Sequence, residues 1–436
     1  MPPTPFSGPP SSGPRSAAAT GAPDARLDAR RLRSLIVISF SASVAFTAMY
    51  STQPILPQIS QEFHVSPAEA GLTLLAVTFA LAVASLGAGR IADAIGTRRM
   101  MLICGILLSV FSVAAPLAPT FASLVALRVA QGLAVPGITI AGLAYLHNEL
   151  PPAWRGRVSG FYIAANTLGG LLGRLMVGLT VETLGWRGGL ALVAGWVILG
   201  TLALAIAIAP SSRRRPVTTS TTPQPSARNG SARPPSLAVI IRKLWWAPLI
   251  GGTIFLPFLT VFSYAPYLLE GPPFHLSPTR TSLIYLVYLL GAVASPVAGN
   301  ISDRMGRRPT IQVSLAIAFA GLACTLVDML PLILLGLALV CIGSLMAHVV
   351  ANASVSDAAN PLGAQARATA LALYTLGFYL GGGIGSFVPG LAFVAFGWNG
   401  VIALCVVAVV GAFLCSLVTS AHPVRGAYVE PTATAG

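Results

Sequence analysis

From residue 34 onward the chain alternates between long apolar stretches and short polar segments. The apolar stretches are roughly 20 residues long, which is the length an α-helix needs to cross the hydrocarbon core of a membrane. A polar, Pro- and Ser-rich segment at 210–243 cannot bury a core and predicts a flexible linker. The pattern predicts six helices on each side of it, at 34–57, 67–88, 100–119, 121–146, 158–181 and 188–209, then at 244–268, 279–299, 310–328, 331–355, 366–390 and 398–419. We number these predicted helices 1 to 12.

The composition supports an all-α integral membrane protein. Hydrophobic residues make up 55% of the chain and charged residues only 9%, whereas a soluble protein carries about 25% charged residues. So few charges cannot cover a soluble globular surface, which excludes a soluble protein, a disordered chain and most nucleic-acid binders. The outer surface is therefore expected to face the lipid bilayer.

The basic residues set the expected orientation. With the N-terminus inside, 22 of the 26 Arg and Lys residues fall in cytoplasmic segments, which is the asymmetry of the positive-inside rule. Arg187 and Arg280 then lie outside, and Arg128 and Arg174 lie within the membrane. Both termini are predicted to be cytoplasmic, and the Arg-, Ala- and Gly-rich composition favours the inner membrane of a bacterium.

The two halves of the chain are copies of each other. A shift of 212 positions lays residues 167–192 on 379–404 with eleven identities, and near residue 90 the shift becomes 210. A parallel repeat of six helices predicts two bundles related by a pseudo-twofold axis, with a substrate site between them. The predicted domains are a disordered tail, the first bundle, the linker, the second bundle and a C-terminal tail, at 1–33, 34–209, 210–243, 244–420 and 421–436.

Two loops, each between the second and third helix of its half, carry the most specific motif. Both combine glycine, which permits tight turns, with aspartate and a run of arginine, so they are able to latch one bundle to the other. The alternative is that these arginines serve only to orient the chain. The motif residues are Gly89, Asp93, Gly96, Arg98 and Arg99 in the first loop, and Gly299, Asp303, Arg304, Gly306, Arg307 and Arg308 in the second.

This doubled pattern, in a chain of six plus six helices, resembles the major facilitator superfamily over about residues 34–420. The resemblance implies that the motif residues form a cytoplasmic gate that stabilises the outward-facing state. It also implies transport by alternating access, without a cofactor or a resident metal. One departure is Ala94, where the family usually has a basic residue, and it predicts a weaker latch in the first half.

Predicted helix 4 carries Arg128 and Gln131 in a sequence that resembles the arginine motif of proton-coupled members of this family. An arginine at mid-membrane costs about 2.5–3.5 kcal/mol on insertion scales, so it must face protein or water. The alternative is that Arg128 extends its side chain to the outer interface.

Predicted helix 5 corresponds to the family's antiporter motif but has Arg174 where the family would place proline. The spacing of Gly169 and Gly173, repeated at Gly381 and Gly385, predicts close packing of helices. Together with the Tyr50-to-Pro57 segment, helix 5 resembles bacterial sugar or drug efflux permeases. Arg128 and Arg174 have similar predicted depths, roughly 10 Å below the outer surface. Two cations at the same depth favour an anion held between them.

None of the twelve acidic residues falls at mid-membrane in these spans. Exporters of cationic drugs commonly need a buried carboxylate, so its absence favours a neutral or anionic substrate. Glu182, Glu270 and Asp328 near the outer helix ends are either solvated loop acids or proton carriers.

Polar and aromatic positions on helices 1, 7 and 10 complete the predicted pathway. Ser344, His348 and Asn352 form one stripe on helix 10, and His348 either carries the proton or is satisfied by a neighbouring helix. The remaining positions are either cavity walls or interface anchors: Tyr50, Gln53, Phe262 and Tyr264.

The sequence therefore predicts a monomeric transporter, with proton-coupled efflux of a small neutral or anionic solute such as a sugar, metabolite or drug. An uptake permease or facilitator of the same fold stays open as the alternative. A membrane enzyme is disfavoured because no polar cluster lies at a membrane face, and a sensor because no soluble domain is present. No phosphate-binding loop of an ATP-driven pump is found.

Overall fold

The computed structural model describes residues 28–151, 154–208 and 236–419, and these residues form α-helices and short 3₁₀ turns. Nine of the described helical segments are long and apolar enough to cross a membrane. Two of the nine, Arg155–Ala207 and Ala364–Ser416, are each two helices that meet at a non-helical glycine. With Arg307–Cys324, which begins with two arginines and a proline, the total is twelve, as predicted.

The helix bounds extend or shift the predicted ones, while their order is unchanged. Helix 1 begins at Ala29 rather than residue 34 because the Asp28 side chain accepts a hydrogen bond from Arg31 N at 2.8 Å and caps it. The helices of the first half are Ala29–Tyr50 with its continuation Leu56–Phe63, Pro67–Ile95, Thr97–Ala114, Phe121–Glu149, and Arg155–Ala207, which holds helices 5 and 6. Those of the second half are Trp246–Glu270, Pro278–Ser282 continuing into Tyr288–Met305, Arg307–Cys324, Leu330–Ala359, and Ala364–Ser416, which holds helices 11 and 12.

The last part of the predicted linker is helical. Leu237–Lys243 forms a short helix that begins with five consecutive apolar residues. One of them, Ile240, is buried. The prediction of a flexible linker up to residue 243 is therefore wrong for these seven residues. The predicted tail before residue 28, the linker residues 209–235 and the tail from residue 420 lie outside the described residues.

Glycines with positive φ recur at equivalent positions of the two halves. Gly185 and Gly397, 212 positions apart, have φ values of 66° and 60° and separate the fifth from the sixth helix of each half. Gly96 and Gly306, 210 positions apart, have φ values of 90° and 93° and separate the second from the third. Glycine adopts positive φ without a steric penalty, so the repeat is preserved in the backbone turns of both halves.

The fifth helix of each half packs directly on the first. A Cβ atom at Gly169 or Gly173 would lie 2.1 Å from Ser43 O or 2.2 Å from Thr47 O. In the second half, a Cβ at Gly381 or Gly385 would lie 2.2 Å from Gly252 O or 2.7 Å from Leu256 O. Larger residues at these four positions would push the helices apart, which is the small-residue packing typical of membrane helices.

The halves meet at one end of the molecule. We call the end with the loops 89–99 and 299–309 the motif end, and the opposite end, with Gly185, Gly397 and the 271–277 loop, the closed end. All hydrogen bonds that cross between the described halves lie towards the closed end: Gln53 to Ser263 and to Leu259 O, Gln58 to Glu270, Ser60 to Tyr267, Thr279 N to Glu182, and Ser386 to Gly71 O. At the motif end no hydrogen bond, ion pair or ring contact joins the described parts of the two halves.

Candidate functional site

Helix 1 is interrupted after Tyr50. Its regular part ends at Tyr50, and Gln53–Ile55 forms a 3₁₀ turn before the helix resumes at Leu56. Pro54 and Pro57 have no N–H group, so they cannot continue the helical hydrogen bonds across this point. The backbone and side chains around the break are therefore available to bind groups from other helices.

Arg128 of helix 4 binds the carbonyl groups at this break. It is 1% exposed and donates to Ala48 O at 2.9 Å, to Met49 O, to Thr73 O at 3.2 Å and to Gln131 Oε1 at 2.7 Å. Gln131 in turn donates to Ser112 Oγ at 3.1 Å. Arg128 and Gln131 thus link helices 1 to 4 of the first half to one another.

This geometry corrects the prediction of an anion between the two buried arginines. Four of the five N–H groups of Arg128 are used by groups of the first half. The cavity beside Arg128 and Gln131 measures about 10 Å³, which has room for no more than a single water molecule. The alternative of extension to the outer interface is also wrong, because the side chain turns towards helices 1 and 2.

Arg174 of helix 5 lies on the other side of the break and has a different environment. Its Nε donates to Gln53 Oε1 at 2.5 Å and its Nη1 to Gly170 O at 2.7 Å. The side chain is 2% exposed. Three of its five N–H groups have no hydrogen-bond partner among the described residues, and no described carboxylate pairs with it.

Three tyrosine rings surround this guanidinium. The Arg174 Cζ atom lies 4.1 Å from the centre of the Tyr50 ring, 4.6 Å from that of Tyr288 and 5.7 Å from that of Tyr285. Tyr50 belongs to the first half, whereas the other two belong to helix 8 of the second half. Cation–π contacts with three rings partly compensate for the missing counter-ion. The charge therefore sits at the boundary between the halves, where alternating movement would act on it.

Of the polar groups near these three tyrosine rings, which we call the ring cage, some have hydrogen-bond partners and one does not. Gln53 is fully buried and also donates to Ser263 Oγ at 3.0 Å, and the Tyr285 hydroxyl donates to Phe262 O at 3.0 Å. The Tyr288 hydroxyl is buried without a partner among the described residues. Among the described residues, Arg174 and the Tyr288 side chain that contacts it thus both keep donor groups without a partner, and such donors suit an anionic ligand.

The other predicted wall residues are placed differently. Phe262 packs edge-on to Tyr288 at 4.7 Å, behind the ring cage. The Tyr264 hydroxyl donates to Ser386 O at 2.6 Å and is directed to helix 11. The structure thus brings Tyr50, Gln53 and Arg174 together, and it places Tyr264 elsewhere.

His348, from the stripe on helix 10, contacts a neighbouring helix of the second half. His348 Nδ1 lies 2.9 Å from the Tyr374 hydroxyl of helix 11, and its ring centre lies 4.3 Å from that of Phe378. Ser344 is buried and Asn352 is partly exposed. Of the two interpretations left open for His348, the contact with Tyr374 matches a histidine satisfied by a neighbouring helix.

The motif residues interact within their own halves. Arg98 donates to Ile208 O at 2.8 Å, and Arg307 donates to Asp357 at 3.1 Å and lies 3.9 Å from Asp303. A Cβ at Gly89 or Gly299 would meet no atom within 4 Å. The remaining charged motif residues make no hydrogen bond within the described chain: Asp93, Arg99, Arg304 and Arg308.

The family model of the Major Facilitator Superfamily matches residues 38–271 and 252–433. The chain belongs to the major facilitator superfamily. It is therefore a multi-pass membrane protein and a secondary transporter of a small molecule, not an enzyme.

Relatives within the superfamily cover most of the chain. The "Inner membrane transport protein YnfM" of Escherichia coli is 33% identical over 83% of this chain and 84% of its own length. The "Uncharacterized MFS-type transporter YybF" of Bacillus subtilis is 30% identical over 82% of this chain and 86% of its own. A crystal structure of a bacterial homologue of the human lysosomal transporter Spinster, in an inward-facing and occupied conformation, is 18% identical and superposes with a TM-score of 0.71, covering 90% of this chain and 96% of that one.

Sequence reasoning missed two parts of this superfamily member's site. Tyr285 and Tyr288 join Arg174 from helix 8, and their spacing of three residues on a spanning helix was the available signal. The other is Tyr374, the partner of His348, which no local sequence pattern indicates. Among the described residues no group of three His, Cys, Asp or Glu side chains lies close enough to hold a metal ion.

Proposed function

We propose that this transporter exports a small anionic solute in exchange for protons, and that Arg174 binds the anionic group. The observation that carries the proposal is the environment of Arg174: a buried guanidinium at the boundary of the halves, with three free N–H groups and no described carboxylate partner. Burying a charge without a partner is costly. An anionic solute would supply the missing counter-ion.

The three tyrosine rings favour a solute with an apolar or aromatic portion. Tyr50, Tyr285 and Tyr288 surround the guanidinium, and their ring faces would stack on such a portion. A carboxylate or phosphate on such a solute would accept from Arg174 in the bidentate geometry that guanidinium groups favour. We therefore propose an amphipathic organic anion rather than an inorganic ion.

We assign the motif end to the cytoplasm, on the distribution of arginine along the chain. No hydrogen bond, ion pair or ring contact joins the described halves there, and hydrogen bonds join them from the Arg174 site to the closed end. In this assignment the molecule is open to the cytoplasm, and solute would enter from that side. The motif residues then form their contacts between halves in the opposite, outward-facing state.

Asp303→Asn is expected to lower the turnover number about tenfold while leaving insertion and folding intact. Asp303 is exposed, and its contact with Arg307 is long, at 3.9 Å. Its carboxylate is therefore available to bind the other half when the motif end closes. Loss of one charge-assisted hydrogen bond costs about 1.5–3 kcal/mol, and 1.36 kcal/mol in a barrier is tenfold in rate. The turnover number is measured from initial rates of transport in proteoliposomes. Asp328→Asn, at an exposed acid of the closed end, is the control, and an unchanged rate for Asp303→Asn contradicts the gate.

The exchange itself is tested with purified protein in liposomes that hold a pH gradient and a pH-sensitive dye. Neutral, anionic and cationic amphipathic solutes are added in turn, and protons are expected to move against the anionic ones. A cationic solute that moves protons would contradict the assignment of Arg174. Solute flux in the same direction as protons would identify an uptake permease, and flux without proton movement would identify a facilitator.

A further inference from the structure

Gln58 and Glu270 join the two halves at the closed end. Gln58 lies on the resumed part of helix 1, Leu56–Phe63, and Glu270 is the last residue of helix 7. The Gln58 amide nitrogen donates to Glu270 Oε2 at 2.9 Å. The two positions are 212 apart, which is the offset of the internal repeat, so equivalent residues of the two copies meet here. Such a contact lies on the pseudo-twofold axis that relates the halves.

The pair contains two buried oxygen atoms without a hydrogen-bond donor. Glu270 Oε1 and Gln58 Oε1 are both inaccessible to solvent and have no partner among the described residues. An ionised carboxylate has only acceptor oxygens, so ionisation leaves both atoms unsatisfied. A proton on Glu270 Oε1 would turn this atom into a donor, and the Gln58 oxygen of the same pair is the acceptor without a partner.

No cation compensates Glu270 among the described residues, where it forms no ion pair. The groups that face it are Tyr267 on its own helix, Glu182 on helix 5 and Tyr285 on helix 8. The Tyr267 hydroxyl is bound to Ser60, and that of Tyr285 to Phe262 O. The remaining charged groups and histidines of this end are paired elsewhere or exposed. Glu62 pairs with Arg187, and the exposed ones are His64, Glu69, His275, Arg280 and Asp328.

We propose that Glu270 is a proton-binding site that controls the closed end. Protonated Glu270 pairs with Gln58 across the axis and holds the halves together, while ionised Glu270 requires water and favours separation of the halves. Glu182, a second carboxyl on the opposite half, opposes ionisation of Glu270 by like-charge repulsion. The link between this proton and solute movement rests on the proposed function, whereas the control of the closed end by protonation does not.

The test measures the distance between spin labels across the closed end, without solute, between pH 5 and 9. The labels are attached at Gln61→Cys and Asn399→Cys, both exposed positions, in a background whose five native cysteines are replaced. In the wild type the ratio of open to closed molecules is expected to rise about tenfold per pH unit through the titration of one proton. Glu270→Gln is expected to stay closed at every pH, because its amide group can donate to Gln58 Oε1.

A reciprocal exchange sharpens the test. The double variant Gln58→Glu/Glu270→Gln keeps one carboxyl and one amide on the axis, so it is expected to regain the pH response. Glu182→Gln, which keeps an acceptor for Thr279 N, is the matched control and is expected to keep the pH response, with its midpoint moved to lower pH because the like-charge repulsion is lost. The proposal is overturned if the wild type shows no pH response, if Glu270→Gln keeps it, or if Glu182→Gln abolishes it.

The spin-label experiment and the liposome experiment test different proposals, and either proposal can fail without the other. A closed end that responds to pH in the absence of solute, in a protein that exchanges no solute for protons, would support the proton site and contradict the exporter. Proton-coupled export with a closed end that ignores pH would support the exporter and contradict the proton site at Glu270.

Discussion

Replacing Arg174 by Met is expected to weaken the binding of an anionic solute by about 100-fold. The variant removes three free N–H donors and the positive charge from a site where the guanidinium is 2% exposed. A hydrogen bond to a charged group is worth about 1.5–3 kcal/mol, and each 1.4 kcal/mol is tenfold in a dissociation constant. Arg174→Lys keeps the charge but loses the planar, bidentate group that stacks on the tyrosines, so a loss of about tenfold is expected.

Equilibrium binding in detergent measures both variants against the wild type, with a neutral analogue of the same solute as the comparison. The neutral analogue should bind all three proteins with similar affinity, because it makes no use of the charge. Gln53→Leu serves as a second check, since it removes the acceptor that orients Arg174 without removing the guanidinium. Equal affinity of Arg174→Met and the wild type for the anion would assign Arg174 to helix packing alone.

Replacing Arg128 by Met is expected to lower the stability of the folded protein by about 2–4 kcal/mol while leaving the chemistry at Arg174 in place. The variant removes the hydrogen bonds that the carbonyl groups of Ala48, Met49 and Thr73 accept from Arg128, while Ala48 O keeps the one from the Ser51 hydroxyl. Hydrogen bonds between membrane helices are each worth about 0.6 kcal/mol on average, with a maximum of about 1.7, and four are lost. Helix 1 would also lose the group that fixes its break.

Thermal unfolding in detergent, followed by circular dichroism, measures this effect. Arg99→Met is the matched control, because Arg99 is exposed at the motif end and makes no hydrogen bond within the described chain. A midpoint for Arg128→Met equal to that of the control would show that the break in helix 1 is stable without Arg128. In that case its role would have to be sought in transport.

The number and order of the helices were predictable because they depend on local patterns. Apolar runs of sufficient length and the glycines that end helices act locally along the chain, and the repeat at 212 positions shows the same local pattern twice. Gly185 and Gly397 show this clearly, since each separates two apolar runs and each has the positive φ that glycine tolerates. The termini of the helices were less predictable, because a single capping side chain such as Asp28 moves a boundary by a full turn.

The different environments of the two buried arginines were not predictable in the same way. Arg128 and Arg174 occupy similar predicted depths on similar apolar helices, and nothing in the local sequence distinguishes them. What distinguishes them is the break in helix 1, about 80 and 120 residues away along the chain: carbonyl groups surround one arginine and tyrosine rings surround the other. Contacts at such separations depend on how the helices assemble.

The repeat also has an exception with a chemical consequence. Shifted by 212 positions, Arg128 falls on Val340 and Arg174 on Ser386, so the second copy has neither of the buried cations. Two equivalent walls would accept a solute in either of two orientations, related by the axis between the copies. A positive charge on one wall and tyrosines of helix 8 on the other admit a single orientation. A solute bound in this one orientation presents its charged group to the first half and its apolar portion to the second, so each half selects for a different part of the same molecule.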